Sequence, residues 1–102
     1  MLSRSEAKVP CRTPNLGKSG VTNIPSWKFD AIRRAILAEL DEKDVVAWSE
    51  LTLLVKERLS AEERASMGNV GWFTVTVKLE MEVRGEIERL PGAGPQKIRK
   101  PG

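Results

Sequence analysis

Residues 72–100 read WFTVTVKLEMEVRGEIERLPGAGPQKIRK, and the way Gly85 divides this stretch decides the fold. Ahead of Gly85 stands KLEMEV, rich in Lys, Leu, Glu and Met, residue types that lose little rotamer freedom in a helix. Behind it comes a short β-like run, Glu86 to Leu90, then a turn rich in Pro and Gly, then Gln96 to Lys100. The order is therefore a helix, a glycine able to take the left-handed backbone that ends helices, and a β-hairpin.

A strand competes with that helix. From Phe73 to Val83 every odd position is apolar (Phe73, Val75, Val77, Leu79, Met81, Val83) and every even one is polar, the period of a half-buried strand. Paired with Glu86 to Leu90 through a tight Arg84-Gly85 turn, it would give an α+β fold. Such a strand would be about twice the usual length. A helix instead collects Trp72, Val75, Thr76, Leu79 and Val83 on one face, taken as the core face, and stops at Gly85. The helix is the preferred reading.

Upstream, two more amphipathic helices are expected. One starts after Pro25 with Ser26 as N-cap and runs to about Leu40, with Phe29, Ile32, Ile36, Leu37 and Leu40 inward and Lys28, Arg34, Asp41 and Glu42 outward. Asp41 to Asp44 reads as a charged turn, and Val45-Val46-Ala47-Trp48 as a short strand that can join the hairpin. Ser49 is the expected cap of the second helix, which buries Leu51, Leu54, Val55 and Leu59. Ser60 and Glu63 have the spacing of a capping box, predicting a helical turn over Ala61 to Met67. Trp27, Trp48 and Trp72 stand near helix starts, where large aromatics pin helix ends to a core. Residues 1–24 hold Pro10, Pro14, Gly17 and Gly20 with no apolar period, predicting a flexible tail with Cys11 as a solvated thiol. The GKS at 17–19 is no P-loop, because the required earlier glycine is replaced by Arg12.

Composition narrows the chemistry. The 102 residues, 40% of them apolar, suit one domain, and no run of about 20 apolar residues could span a membrane, so a cytoplasmic protein without membrane contact is expected. There is no His or Tyr and only one Cys, so general-acid, nucleophilic and soft-metal chemistry lack their usual groups. Glu62-Glu63 and Asp41-Glu42 fall at helix ends and turns, where caps and solvated charge are expected. No enzyme activity, cofactor or metal is expected. The net charge of +3 is uneven: residues 1–25 carry four basic groups against Glu6, residues 86–102 carry four against Glu86 and Glu88, and residues 26–85 carry nine basic against eleven acidic. A basic tail and a basic hairpin could both reach phosphates.

Three helices and a hairpin joined by a third strand describe a winged helix-turn-helix, mainly α with a small β-sheet, over residues 25–100 behind the basic tail of 1–24. The run WSELTLLVKERL resembles the second helix of winged-helix proteins, and KLEMEVRGEIERL is similar to their third helix and first wing strand. TPNLGKSG, FDAIRRAIL and GNVGWFTVTVKLEMEVRGEIERLPG, in that order, resemble a family of small uncharacterised bacterial proteins over most of the chain. The resemblance implies the fold and carries no activity with it. Among proteins of this shape nucleic-acid binding is common, which points to a transcription-regulator-like module touching phosphate through Thr74, Lys78, Arg89, Lys97, Arg99 and Lys100. The alternative is a protein-interaction or dimerisation module, with Phe73, Val77 and Met81 as the exposed contact stripe. DNA, a second copy or another protein are thus the expected partners.

Overall fold

The computed structural model of the chain describes residues 7–12, 21–92 and 96–101. It is mainly helical with two small antiparallel sheets. In chain order the elements are β1 (Lys8–Cys11), β2 (Thr22–Pro25), α1 (Ser26–Lys43), β3 (Val45–Ala47), α2 (Trp48–Arg58), α3 (Ala61–Met67), α4 (Val70–Arg84), β4 (Glu88–Arg89) and β5 (Lys97–Arg99).

The ambiguous stretch is a helix. Asn69 opens α4 by accepting a hydrogen bond from the Trp72 amide (2.9 Å). Gly85, at φ 78° and ψ 18°, closes it. The Gly85 amide donates to the Glu82 carbonyl (3.1 Å) and the Glu86 amide to the Met81 carbonyl (2.9 Å), the paired bonds of a Schellman end. β4 and β5 follow as a hairpin, and β3 pairs with the other edge of β5, giving the order β3-β5-β4. Ile98 at the centre of β5 faces Val46 on one side and Arg89 on the other, and Ile98 and Val46 are both buried.

Helix starts depart from the serine caps expected. Neither Ser26 nor Ser49 caps a helix; the N-cap positions are Pro25 and Ala47. The Ser26 amide donates to the Ala7 carbonyl (2.9 Å) and the Trp48 amide to the Gln96 carbonyl (2.8 Å). Each helix thus begins where a strand ladder ends, and the neighbouring strand supplies the acceptor that a serine hydroxyl would otherwise provide. α3 follows the expected pattern: the Glu63 amide donates to Ser60 Oγ (3.0 Å) while the Ser60 amide donates to Glu63 Oε1 (2.9 Å).

The core lies between α1, α2 and α4, filled by Phe29, Ile32, Ile36, Leu40, Leu51, Val55, Val77 and Met81, with Ile87 and Ile98 closing it at the sheet. α1 and α2 are also tied by Glu39, a buried carboxylate that accepts from Lys43 Nζ (2.8 Å) and pairs with Arg58. Within the segment expected as a flexible tail, β1 and β2 form a ladder from Lys8 opposite Pro25 to Cys11 opposite Thr22. Cys11 and Ile24 point from this ladder into the core, so Cys11 is a buried thiol, 3% exposed, and not a solvated one. Burial first, and the nearby Glu80 carboxylate second, push that thiol up to about 11. The GKS at 17–19 lies outside the described residues.

A Cβ added at Gly85 would meet nothing within 4 Å, so the cost of a side chain there is purely that of the left-handed backbone. Gly85→Ala is expected to lose about 1 kcal/mol, lowering the thermal midpoint by about 4–8 °C, and Gly85→Asn distinctly less. Equal losses for the two, read from thermal unfolding, would contradict this account of the turn.

Candidate functional site

Helix α4 lies with the opposite side inward from the one expected. Its core side is Val70, Thr74, Val77 and Met81, all buried. Val77 and Met81, expected to be exposed partner contacts, have no solvent exposure, and Phe73 is half-buried against the core. The Phe73 ring meets Trp72 edge-on (centroids 4.9 Å apart), and Lys28 Nζ sits 4.4 Å from its centroid while donating to the Met67 carbonyl (2.8 Å). Thr74 and Lys78, expected to touch phosphate, are 0% and 2% exposed. The Thr74 hydroxyl has no hydrogen-bond partner among the described residues.

Charged side chains hold the two flanks of α4. On one flank, the buried Glu80 carboxylate accepts from the Arg12 amide (2.8 Å), from Arg12 Nε and Nη2 (3.1 and 2.7 Å) and from Arg84 Nε (2.8 Å). This ties the end of β1 to the middle of α4. On the other flank, Lys78 pairs with Glu82 one turn on, and its ammonium lies 4.1 Å from the Trp48 ring centroid. Burial pushes the Lys78 ammonium down, against the stabilising pull of Glu82. Glu82 also accepts from Arg89 Nε (3.1 Å), joining this flank to the β4–β5 hairpin.

With both flanks covered, α4 turns Trp72, Val75, Thr76, Leu79 and Val83 outward. Trp72 is 47% exposed and Val75 37%, and the other three are half-buried. The Thr76 hydroxyl donates back to the Trp72 carbonyl (2.9 Å), so it asks for no outside partner. The result is one uncharged, apolar stripe along three turns of helix. Trp72 is correspondingly not the core anchor expected, whereas Trp27 and Trp48 do pack on the core.

The hairpin is less basic than its sequence. Arg89 is paired to Glu82, Arg99 to Glu88 (2.7 Å) and Lys100 to Asp41. Lys97 alone of the expected phosphate contacts is exposed without an ion pair among the described residues. An open groove of about 720 Å³ between α1 and α3 is lined by Trp27, Asp30, Arg34, Glu62 and Glu63, with the Arg34–Glu63 pair (3.0 Å) across it. No group of three or more metal-ligating side chains occurs among the described residues. Nor is any helix among them long and apolar enough to cross a membrane.

A small, mainly helical protein whose last long helix leads into a three-stranded antiparallel sheet is thus defined. The chain belongs to a family of unknown function, DUF6958, whose model matches residues 8–98. No curated protein and no solved structure matches it.

Glu80 predicts an acid dependence. Burial opposes its ionisation, but the hydrogen bonds from Arg12 and Arg84 outweigh burial and hold the carboxyl at about 2, below the ordinary 4.5. Ionised Glu80 therefore stabilises the fold above about pH 4.5, and that contribution is lost as pH falls from 4.5 towards 2. The shift is worth on the order of 3 kcal/mol. Urea unfolding of Glu80→Gln should show a loss of about 1–3 kcal/mol at pH 7 that shrinks towards pH 3. A loss independent of pH would remove this role.

Proposed function

We propose that this protein is an interaction module on a winged-helix framework, docking protein partners through the outward face of α4. The order α1, β3, α2, α3, α4, β4, β5, with β3 joined to the hairpin at β5, supports the winged-helix reading. The observation that carries the function is the character of the stripe Trp72, Val75, Leu79 and Val83. In winged helices that read DNA, the corresponding surface offers Arg, Lys, Asn or Gln to base edges. Here it offers a Trp and three aliphatic side chains with no charge among them. Exposed apolar side chains at helical spacing fit another apolar helix or sheet.

A second reading draws on the exposed Lys97 and on Arg99 and Lys100 in the hairpin, which could contact duplex backbone without reading sequence. It needs the pairs Arg99–Glu88 and Lys100–Asp41 to open. Each such exposed pair is worth only about 0–1 kcal/mol, so the pairs alone do not forbid it; the small net positive charge of the region is what weakens it.

Titration of labelled random duplex DNA at about 50 and about 200 mM salt separates the two. The interaction-module reading expects negligible binding at both. Binding at the lower salt that falls by tenfold or more at the higher one, and is lost in the double variant Lys97→Glu/Arg99→Glu, would overturn it in favour of phosphate contact.

A further inference from the structure

We infer that β1 is a strap that opens from an otherwise folded helical core, latched shut by Arg12 on Glu80. This motion is independent of whatever docks on the outward face of α4.

The β1–β2 ladder is a sheet of its own, not joined to the β3-β5-β4 sheet. A two-stranded sheet of four-residue strands is marginal in water, so its stability comes from what it docks on. Its own hydrogen bonds are few. The register sets Lys8 opposite Pro25 and Pro10 opposite Asn23. Residue pairs in an antiparallel ladder alternate between bonded and non-bonded, and proline has no N–H to give. Only Val9 with Ile24 and Cys11 with Thr22 can therefore exchange both bonds. The bond from the Ser26 amide to the Ala7 carbonyl falls in the same alternation.

The two strands differ in how they are held. β2 runs directly into α1, and its Ile24 is 1% exposed, so β2 stays with the core. In β1, Lys8 and Pro10 are exposed and Val9 is half-buried, leaving Cys11 as its one fully buried side chain. The remaining tie lies at the end of the strand, where Arg12 supplies three of the four hydrogen bonds that Glu80 accepts. The fourth comes from Arg84 on the same helix as Glu80, which keeps the carboxylate paired when β1 leaves. Opening thus uncovers little apolar surface and strands no bare charge in the core, the conditions under which a segment opens well below the cost of global unfolding.

Cys11 reports the motion. While the strap is shut the thiol is buried and held protonated, so it reacts only when β1 opens. The full chain is mixed with dithionitrobenzoate across a urea series below the unfolding transition. The Cys11 thiolate attacks one sulfur of the reagent, a mixed disulfide forms as the S–S bond breaks, and the coloured thionitrobenzoate that leaves gives the rate. In water the rate is expected to be at least about a hundredfold below that of a free cysteine, to rise with urea with less than about half the slope of global unfolding, and to yield labelled protein that keeps its helical circular dichroism. Arg12→Ala should raise the rate at least about tenfold. Arg33→Ala, which removes the Arg33–Glu86 pair (2.9 Å) away from β1, should change it less than about twofold. A urea slope equal to that of global unfolding overturns the strap, as does labelling as fast as free cysteine. So does a rate unmoved by Arg12→Ala or raised equally by Arg33→Ala. The slope of the parent chain decides the matter if Arg12→Ala fails to fold.

Discussion

A single buried carboxylate organises this molecule. Glu80, 1% exposed at the middle of α4, receives hydrogen bonds from the Arg12 backbone and side chain and from Arg84. Burial alone would raise the pKa of that carboxyl, and the hydrogen bonds from Arg12 and Arg84 outweigh it. Through it the β1–β2 ladder is pinned to α4, and through the ladder Cys11 and Ile24 are brought into the core. The two arginines keep partial contact with solvent, Arg12 at 52% and Arg84 at 36% exposed, so the desolvation cost is lower than for a fully buried set of ions.

The same arrangement sets which side of α4 faces out. Val77 and Met81 point at α1 and α2, Glu80 takes one flank under β1, and Lys78 with Glu82 takes the other under Trp48 and the hairpin. What remains is the apolar stripe from Trp72 to Val83. The proposed function rests on this geometry: α4 has its charged residues consumed in packing, and its free surface is apolar.

Much of the fold is legible in the residues. Gly85 marks the helix end because only a left-handed residue completes those two hydrogen bonds. Ser60 and Glu63 mark α3, and the period of Phe29, Ile32, Ile36 and Leu40 gives α1 its inner side. The third strand, Val45–Ala47, pairs with the hairpin as expected. The orientation of α4 was not legible. Its inward side includes Thr74 and Lys78 and is flanked by Glu80 and Glu82, so polarity pointed the wrong way. Only long-range pairing, 68 residues away in the case of Arg12 and Glu80, makes that side buriable. Trp72, Val75, Thr76, Leu79 and Val83 do share one side of the helix, as their spacing implies, but that side faces outward. The β1–β2 ladder was missed because each strand buries little beyond one side chain, leaving no apolar period to find.

The central claim is the orientation of α4, and paired substitutions on its two sides test it most directly. Denaturant unfolding of Val77→Glu and Val83→Glu should differ sharply: an unpaired carboxylate placed at Val77 is expected to cost about 3 kcal/mol or more or to prevent folding, while the same change at Val83 stays within about 1 kcal/mol of the parent. The reverse ranking would show that α4 faces the other way and would remove the apolar stripe together with the function built on it.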